Sequence, residues 1–243
     1  MQQILYIKVP DTWQSLNDDQ LFFVFSLLTK DLSATQLKTH FLLKMGRIKV
    51  LNRIGAAFIV EHDKLKFTIS ALQIAEALTA LAWLDGIPQY PVRLRNILNN
   101  KPVHATLQGV AFGDYLILDN LYQGYIHTKR NDLLRQMAEI LYNAEGITLS
   151  PPEEISIFYW FASVKLFFAN TFTHFFKQTD DSEAPALAIG KQLQELMDNQ
   201  IRALTGGDIT KEREVLEMDC WRALTELNAK ARDAEDIKRL YKK

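Results

Sequence analysis

The side chains best suited to chemistry are five histidines and one cysteine, and their spacing limits what they could do. His40, His62, His104, His127 and His174 fall at no metal-ligand spacing, and none pairs with Cys220 in a known motif. His174 sits in an apolar stretch and reads as a core or boundary residue. His62 beside Asp63 reads as a turn marker rather than an acid–base pair. Cys220 has Glu217 and Asp219 as neighbours. Negative charge disfavours the thiolate, so this thiol reads as a small buried residue and not a nucleophile. Gly206-Gly207-Asp208-Ile209 lacks the Lys and the preceding strand of a phosphate loop, and a helix stop followed by a helix start accounts for it. The acidic pairs Asp18-Asp19, Glu153-Glu154 and Asp180-Asp181 stand at helix starts or in a linker, where the helix dipole favours them. No catalytic residue, cofactor or metal is expected, and the chain reads as non-enzymatic. A site assembled from residues far apart in the chain stays open as a third class of function.

Binding residues are easier to nominate. Arg47, Lys49, Arg53, Lys64 and Lys66 interleave with Phe58 and Phe67, and Arg93, Arg95 and Lys101 follow in a loop. Aromatic and basic residues on one strand surface can bind single-stranded nucleic acid. They can also be the solvated face of an exposed hairpin, where Lys keeps other edges away. Near the C-terminus, Leu193, Met197, Ile201 and Leu204 recur at helical spacing, and Trp221 and Leu224 follow on a second amphipathic segment. A Trp among leucines is a usual interface anchor, and Met adapts to varied partners. Residues 186–243 therefore read as a partner-binding arm behind a polar linker, 178–185, or as helices docked on the chain's own core.

Positioning these residues takes a sizeable scaffold. The chain has 243 residues, 48% of them hydrophobic, which suits one large domain or two modest ones. Lys and Arg number 28 against 29 for Asp and Glu, so a net charge of −1 supplies no broad field for nucleic acid or anionic lipid. Nucleic acid and membrane are accordingly not expected partners. One cysteine and an N-terminus without a secretion signal suggest a cytoplasmic protein. The one stretch long enough for a membrane span, 155–176, has Lys165 near its middle. A central Lys costs roughly 2.5–3.5 kcal/mol on insertion. A buried core helix is expected instead, with Ser156, Ser163, Asn170 and Lys177 as a narrow polar stripe.

The predicted class is mainly α with a small β-hairpin or meander near 47–69. A short edge strand is expected over 4–9, ended by Pro10. Capping-box pairs Ser33/Gln36, Ser70/Gln73 and Ser150/Glu153 mark helix starts, and Asn17 or Asp18 marks another. Residues 89–106 read as a surface loop. Helices are expected over 112–126 and 129–142, the second capped by Thr128, and Asp219 opens the last. The Gly146 and Pro151-Pro152 region suggests a boundary, giving 1–148 as a mixed helical domain with the β element and 149–243 as a helical C-terminal region, or one continuous domain.

Three stretches carry a family resemblance. Val9-Pro10-Asp11-Thr12-Trp13-Gln14-Ser15-Leu16, with Gln20-Leu21, resembles the start of small cytosolic proteins encoded in phage structural-gene clusters. Phe112-Gly113-Asp114-Tyr115 and Ala138-Glu139-Ile140-Leu141-Tyr142 resemble a further element of those proteins. The run 204–208, with Val215, Leu216, Met218 and Leu224, is similar to the end of phage tail-assembly chaperones. The resemblance, carried by about a third of the chain, implies a non-enzymatic phage or prophage assembly factor that holds other phage proteins, and it transfers no site residue. The alternative is a small nucleic-acid-binding or regulatory protein using the basic hairpin.

Overall fold

The computed structural model describes residues 7–177 and 189–241, with side chains described up to Phe176 and again from Leu196. The expected linker 178–185 and residues 4–6 of the expected first strand lie outside it. Ile7 to Val9 carry no strand. The chain divides into two compact units. The first comprises Met1–Pro88 with Ser150–Ser156, and the second Gln89–Leu149 with Ile157–Lys243. The division is not the expected 1–148 and 149–243, because segments on both sides of 148 fold into the second unit.

In the first unit a 3-10 turn, Trp13–Ser15, is capped by Thr12. Helices α1 (Asp18–Leu28) and α2 (Ala34–Met45) follow. Both open on reciprocal capping boxes, Ser33 with Gln36 as expected and Asn17 with Gln20, which makes Asn17 and not Asp18 the cap of α1. Strands β1 (Lys49–Ile54), β2 (Ala57–His62) and β3 (Leu65–Ser70) form an antiparallel meander in the order β1-β2-β3. Asp63 and Lys64 both take left-handed φ, which gives the tight two-residue turn whose twist suits a hairpin. Ser70 caps α3 (Ala71–Ala80) through a third capping box, and a 3-10 turn, Ala82–Asp85, ends before Gly86. The core gathers Trp13, Leu21, Val24, Phe25, Phe41, Val60 and Leu84. The Trp13 indole donates to the Trp83 carbonyl at 2.9 Å, and Trp83 stands edge-on to both Trp13 and Phe41.

The second unit opens on 89–106, which has no helix or extended strand but is not a surface loop: Val92, Leu94 and Ile97 are buried. Buried irregular backbone needs partners for its carbonyls. The Tyr142 hydroxyl donates to Leu94, the Trp160 indole to Ala105 and the Trp221 indole to Thr106. Helix α4 (Phe112–Thr128) runs two residues past its expected end. Lys129 then turns left-handed, and Arg130 holds the N-cap position of α5 (Asn131–Leu141), so Thr128 belongs to α4 and is not the cap of α5. Gly113 lets α4 approach α9 closely: a Cβ there would lie 3.3 Å from the Leu216 carbonyl oxygen, so the neighbour would have to give by a few tenths of an ångström.

Helix α6 (Pro151–Thr171) is the Phe-rich helix, and a bend at Phe172 separates it from α7 (Thr173–Lys177). Its expected polar stripe splits. Ser156 and Ser163 are buried, each donating to a carbonyl one turn back, Glu153 and Trp160, while Asn170 is exposed. Lys165 pairs with Asp119 of α4 at 2.6 Å. Among the described residues, no helix is long and apolar enough to cross a membrane. Helix α8 (Ile189–Thr205) ends at Gly206 and Gly207, both at positive φ. A 3-10 turn capped by Asp208, then α9 (Glu212–Glu217), leads to α10 (Cys220–Tyr241). Asp219 caps α10 by accepting from the Trp221 and Arg222 amides, and its other oxygen accepts from Gly109 at 2.7 Å.

Candidate interaction surface

The nominated C-terminal anchors whose side chains are described are buried or half-buried. Leu224 is 0% exposed. Trp221 is half-buried, with its ring 5.6–5.8 Å from Phe167, Phe168 and Phe172 and its indole N–H on Thr106. Met197, Ile201 and Leu204 are half-buried on α8, where the Met197 sulfur accepts from Asn120 of α4. The Leu193 side chain lies outside the described residues. Of the two readings of this region, a partner-binding arm or helices docked on the chain's own core, the burial of Leu224 and the half-burial of Trp221, Met197, Ile201 and Leu204 favour docking. A Trp flanked by leucines signals burial in both settings, and the sequence does not say against what.

The single cysteine behaves as its neighbours predict. Cys220 is buried, donates to the Leu107 carbonyl, and is pushed up to about 12, first by burial and then by the Asp219 charge. The sign is simple: with its folded pKa above the ordinary value, the thiol keeps its proton through neutral and mildly alkaline pH. A thiol-specific disulfide reagent at pH 8 is expected to leave the native protein unlabelled and to modify one thiol per chain in denaturant. Full labelling of the folded protein within minutes would contradict this.

The histidines do not converge. His62 closes β2, with Nδ1 2.8 Å from the Gly46 carbonyl and Nε2 3.4 Å from Asp63. It is a strand residue, and the turn itself is Asp63-Lys64. His174 lies 3.2 Å from Glu235 and His104 2.9 Å from Thr106. Among the described residues no group of three or more His, Cys, Asp or Glu is placed to hold a metal ion. An open groove of about 480 Å³ between α4 and α5 is lined by Ile117, Leu121, Ile140 and Glu139, and Glu139 accepts from the Gly146 amide.

What remains uncovered is the meander and the helix after it. Every residue of β1 is exposed, and α3 buries none of its residues. Of the fourteen large apolar side chains exposed among the described residues, five are Val50, Leu51, Ile54, Leu65 and Leu72, the last at 68%. Scattered apolar side chains are ordinary, but this many in one short segment is a local concentration. The apolar residues of β1 are visible in the sequence as a strand signal, which does not say whether they are covered.

Those five basic residues are all exposed, yet they do not share a face. Directly opposed residues lie on one side of a sheet. Lys49, Glu61 and Lys66 form one row. A bulge between Val50 and Asn52 shifts the register, so Arg53 falls opposite Phe58 and Ile69, on the side of Val60 and Phe67. The Arg53 guanidinium sits 5.7 Å over the Phe58 ring, and its Nε donates to Gly55. Arg47 precedes β1, and Lys64 occupies the turn. The lysines and the aromatics expected to interleave are thus on opposite faces. Compared with known proteins, the chain matches no family model, no curated protein and no solved structure.

Proposed function

We propose that the protein is a non-enzymatic protein-interaction or assembly factor, and that β1 and α3 form its contact surface. The observation that supports this best is α3, an apolar helix without one buried residue, beside a strand exposed along its whole length. A helix of this composition is stabilised mainly by what it packs on. The resemblance to phage tail-assembly chaperones makes a phage or prophage tail protein the first partner to test. The basic hairpin as a nucleic-acid platform is less well supported, since Glu61 stands between Lys49 and Lys66 and the aromatics face the other way.

The test is quantitative capture by tagged protein, wild type beside Ile54→Glu and Leu72→Glu. Both side chains are exposed, so melting should change little. A stoichiometric protein recovered with wild type and lost with both variants is the expected result, and tail or capsid genes beside its gene would agree. Recovery unaffected by either substitution would remove this surface as the site of function.

A further inference from the structure

The meander's basic side chains are divided between two faces but concentrated along one edge. β1 is an outer strand of the sheet, and no acidic residue occurs between 47 and 60. Lys49 points to one side and Arg53 to the other, by their pairing with Glu61 and Phe58. Among the described residues Arg47, Lys49, Lys64 and Lys66 hold no ion pair. A ligand lying on either face meets only part of this charge. A strand paired to β1 alternates its own side chains between the faces and can meet Lys49 and Arg53 together.

We infer that β1 accepts an extended acidic segment of a protein partner as a fourth strand of the sheet. This rests on the protein-interaction reading above and specifies the partner's chemistry. The segment carries Asp or Glu at positions opposite Lys49 and Arg53, where opposed charges stabilise a cross-strand pair, and apolar or β-branched residues against Val50, Leu51 and Ile54. The Arg53 amide donates to its neighbour's side chain, Asn52 Oδ1, at 2.8 Å, an acceptor that an incoming carbonyl can replace. A second copy of β1 is disfavoured as the occupant, because it would set basic residues against basic residues. The charges that keep copies apart admit an acidic strand.

The probe is a fluorescent synthetic peptide of Glu-Glu-Val-Thr repeats, which as a strand carries Glu on both faces, compared with the same peptide carrying Lys for Glu and with a labelled single-stranded oligonucleotide. Anisotropy should show salt-sensitive binding of the acidic peptide only, weakened about tenfold or more in Lys49→Glu/Arg53→Glu. Hydrogen exchange should show new protection of β1 amides and none in α3. Equal binding of the acidic and basic peptides, or binding without β1 protection, overturns the fourth strand. So does preferential binding of the oligonucleotide, which would favour a nucleic-acid role. If the acidic peptide fails to bind while Leu72→Glu still strips the captured partner, the strand inference falls and the protein-interaction reading stands. If both fail, both fall.

Discussion

Phe168→Ala is expected to destabilise the second unit by about 3–5 kcal/mol, a large share of the roughly 5–15 kcal/mol that holds a typical domain together. Phe168 is 0% exposed. Its ring lies 5.6 Å from each of Tyr115, Phe172 and Trp221, and all three meet it edge-on. Such pairs add to the free energy of burying the ring's area. Truncation leaves a void walled by rings whose own positions are fixed: Trp221 is tied to Thr106, and Tyr115 also packs on Phe112 and Phe161. The site therefore collapses poorly, and the cost belongs toward the upper end of the range. Denaturant unfolding of the variant beside Phe22→Ala, an exposed residue of α1, measures it. The control should stay within about 0.5 kcal/mol. A loss below about 1 kcal/mol for Phe168→Ala would mean the cluster is not packed as described.

Removing residues 186–243 is expected to abolish cooperative folding of the second unit rather than release a stable remainder. The cut would strip Leu224, Leu227, Ala223 and Cys220 from the core and take Trp221 from beneath the Phe-rich helix. It would also orphan polar groups near the start of α4. The Phe112 amide donates to Met218 at 2.7 Å, the Gly109 amide to Asp219, and the Val110 carbonyl accepts from Cys220. Val110 and Phe112 are buried, and a buried group left without its partner costs about 1–3 kcal/mol. Loss of near-ultraviolet dichroism, binding of a hydrophobic dye and aggregation on size exclusion are the expected readouts. A monomeric remainder with a sharp transition and intact aromatic dichroism would restore the reading of this region as a detachable arm.

The sequence by itself determined the mainly helical class, a small β element over 47–69 and most helix starts. These are decided within a few residues. Ser33 and Gln36 satisfy each other's backbone amides whatever the rest of the chain does, and so do Asn17 with Gln20 and Ser70 with Gln73. Period, turn chemistry and the Gly206-Gly207 stop act over the same short range. Only the tertiary structure decided which apolar faces are covered. Periodicity marks Trp221 and Leu224 as apolar without naming what meets them, and α6 with 89–106 supplies it. Ser156 and Ser163 read as a wet stripe, yet a serine hydroxyl can be satisfied by its own helix one turn back, so burial cost them little. The loop 89–106 looked exposed because nothing local pairs its carbonyls; Tyr142, Trp160 and Trp221 do so from about 48 to 115 residues away. The bulge at Val50–Asn52 moved Arg53 to the aromatic side of the sheet, a change of parity that strict alternation cannot foresee. The candidate surface was legible as residues and illegible as a site, because exposure depends on every other element having found its place.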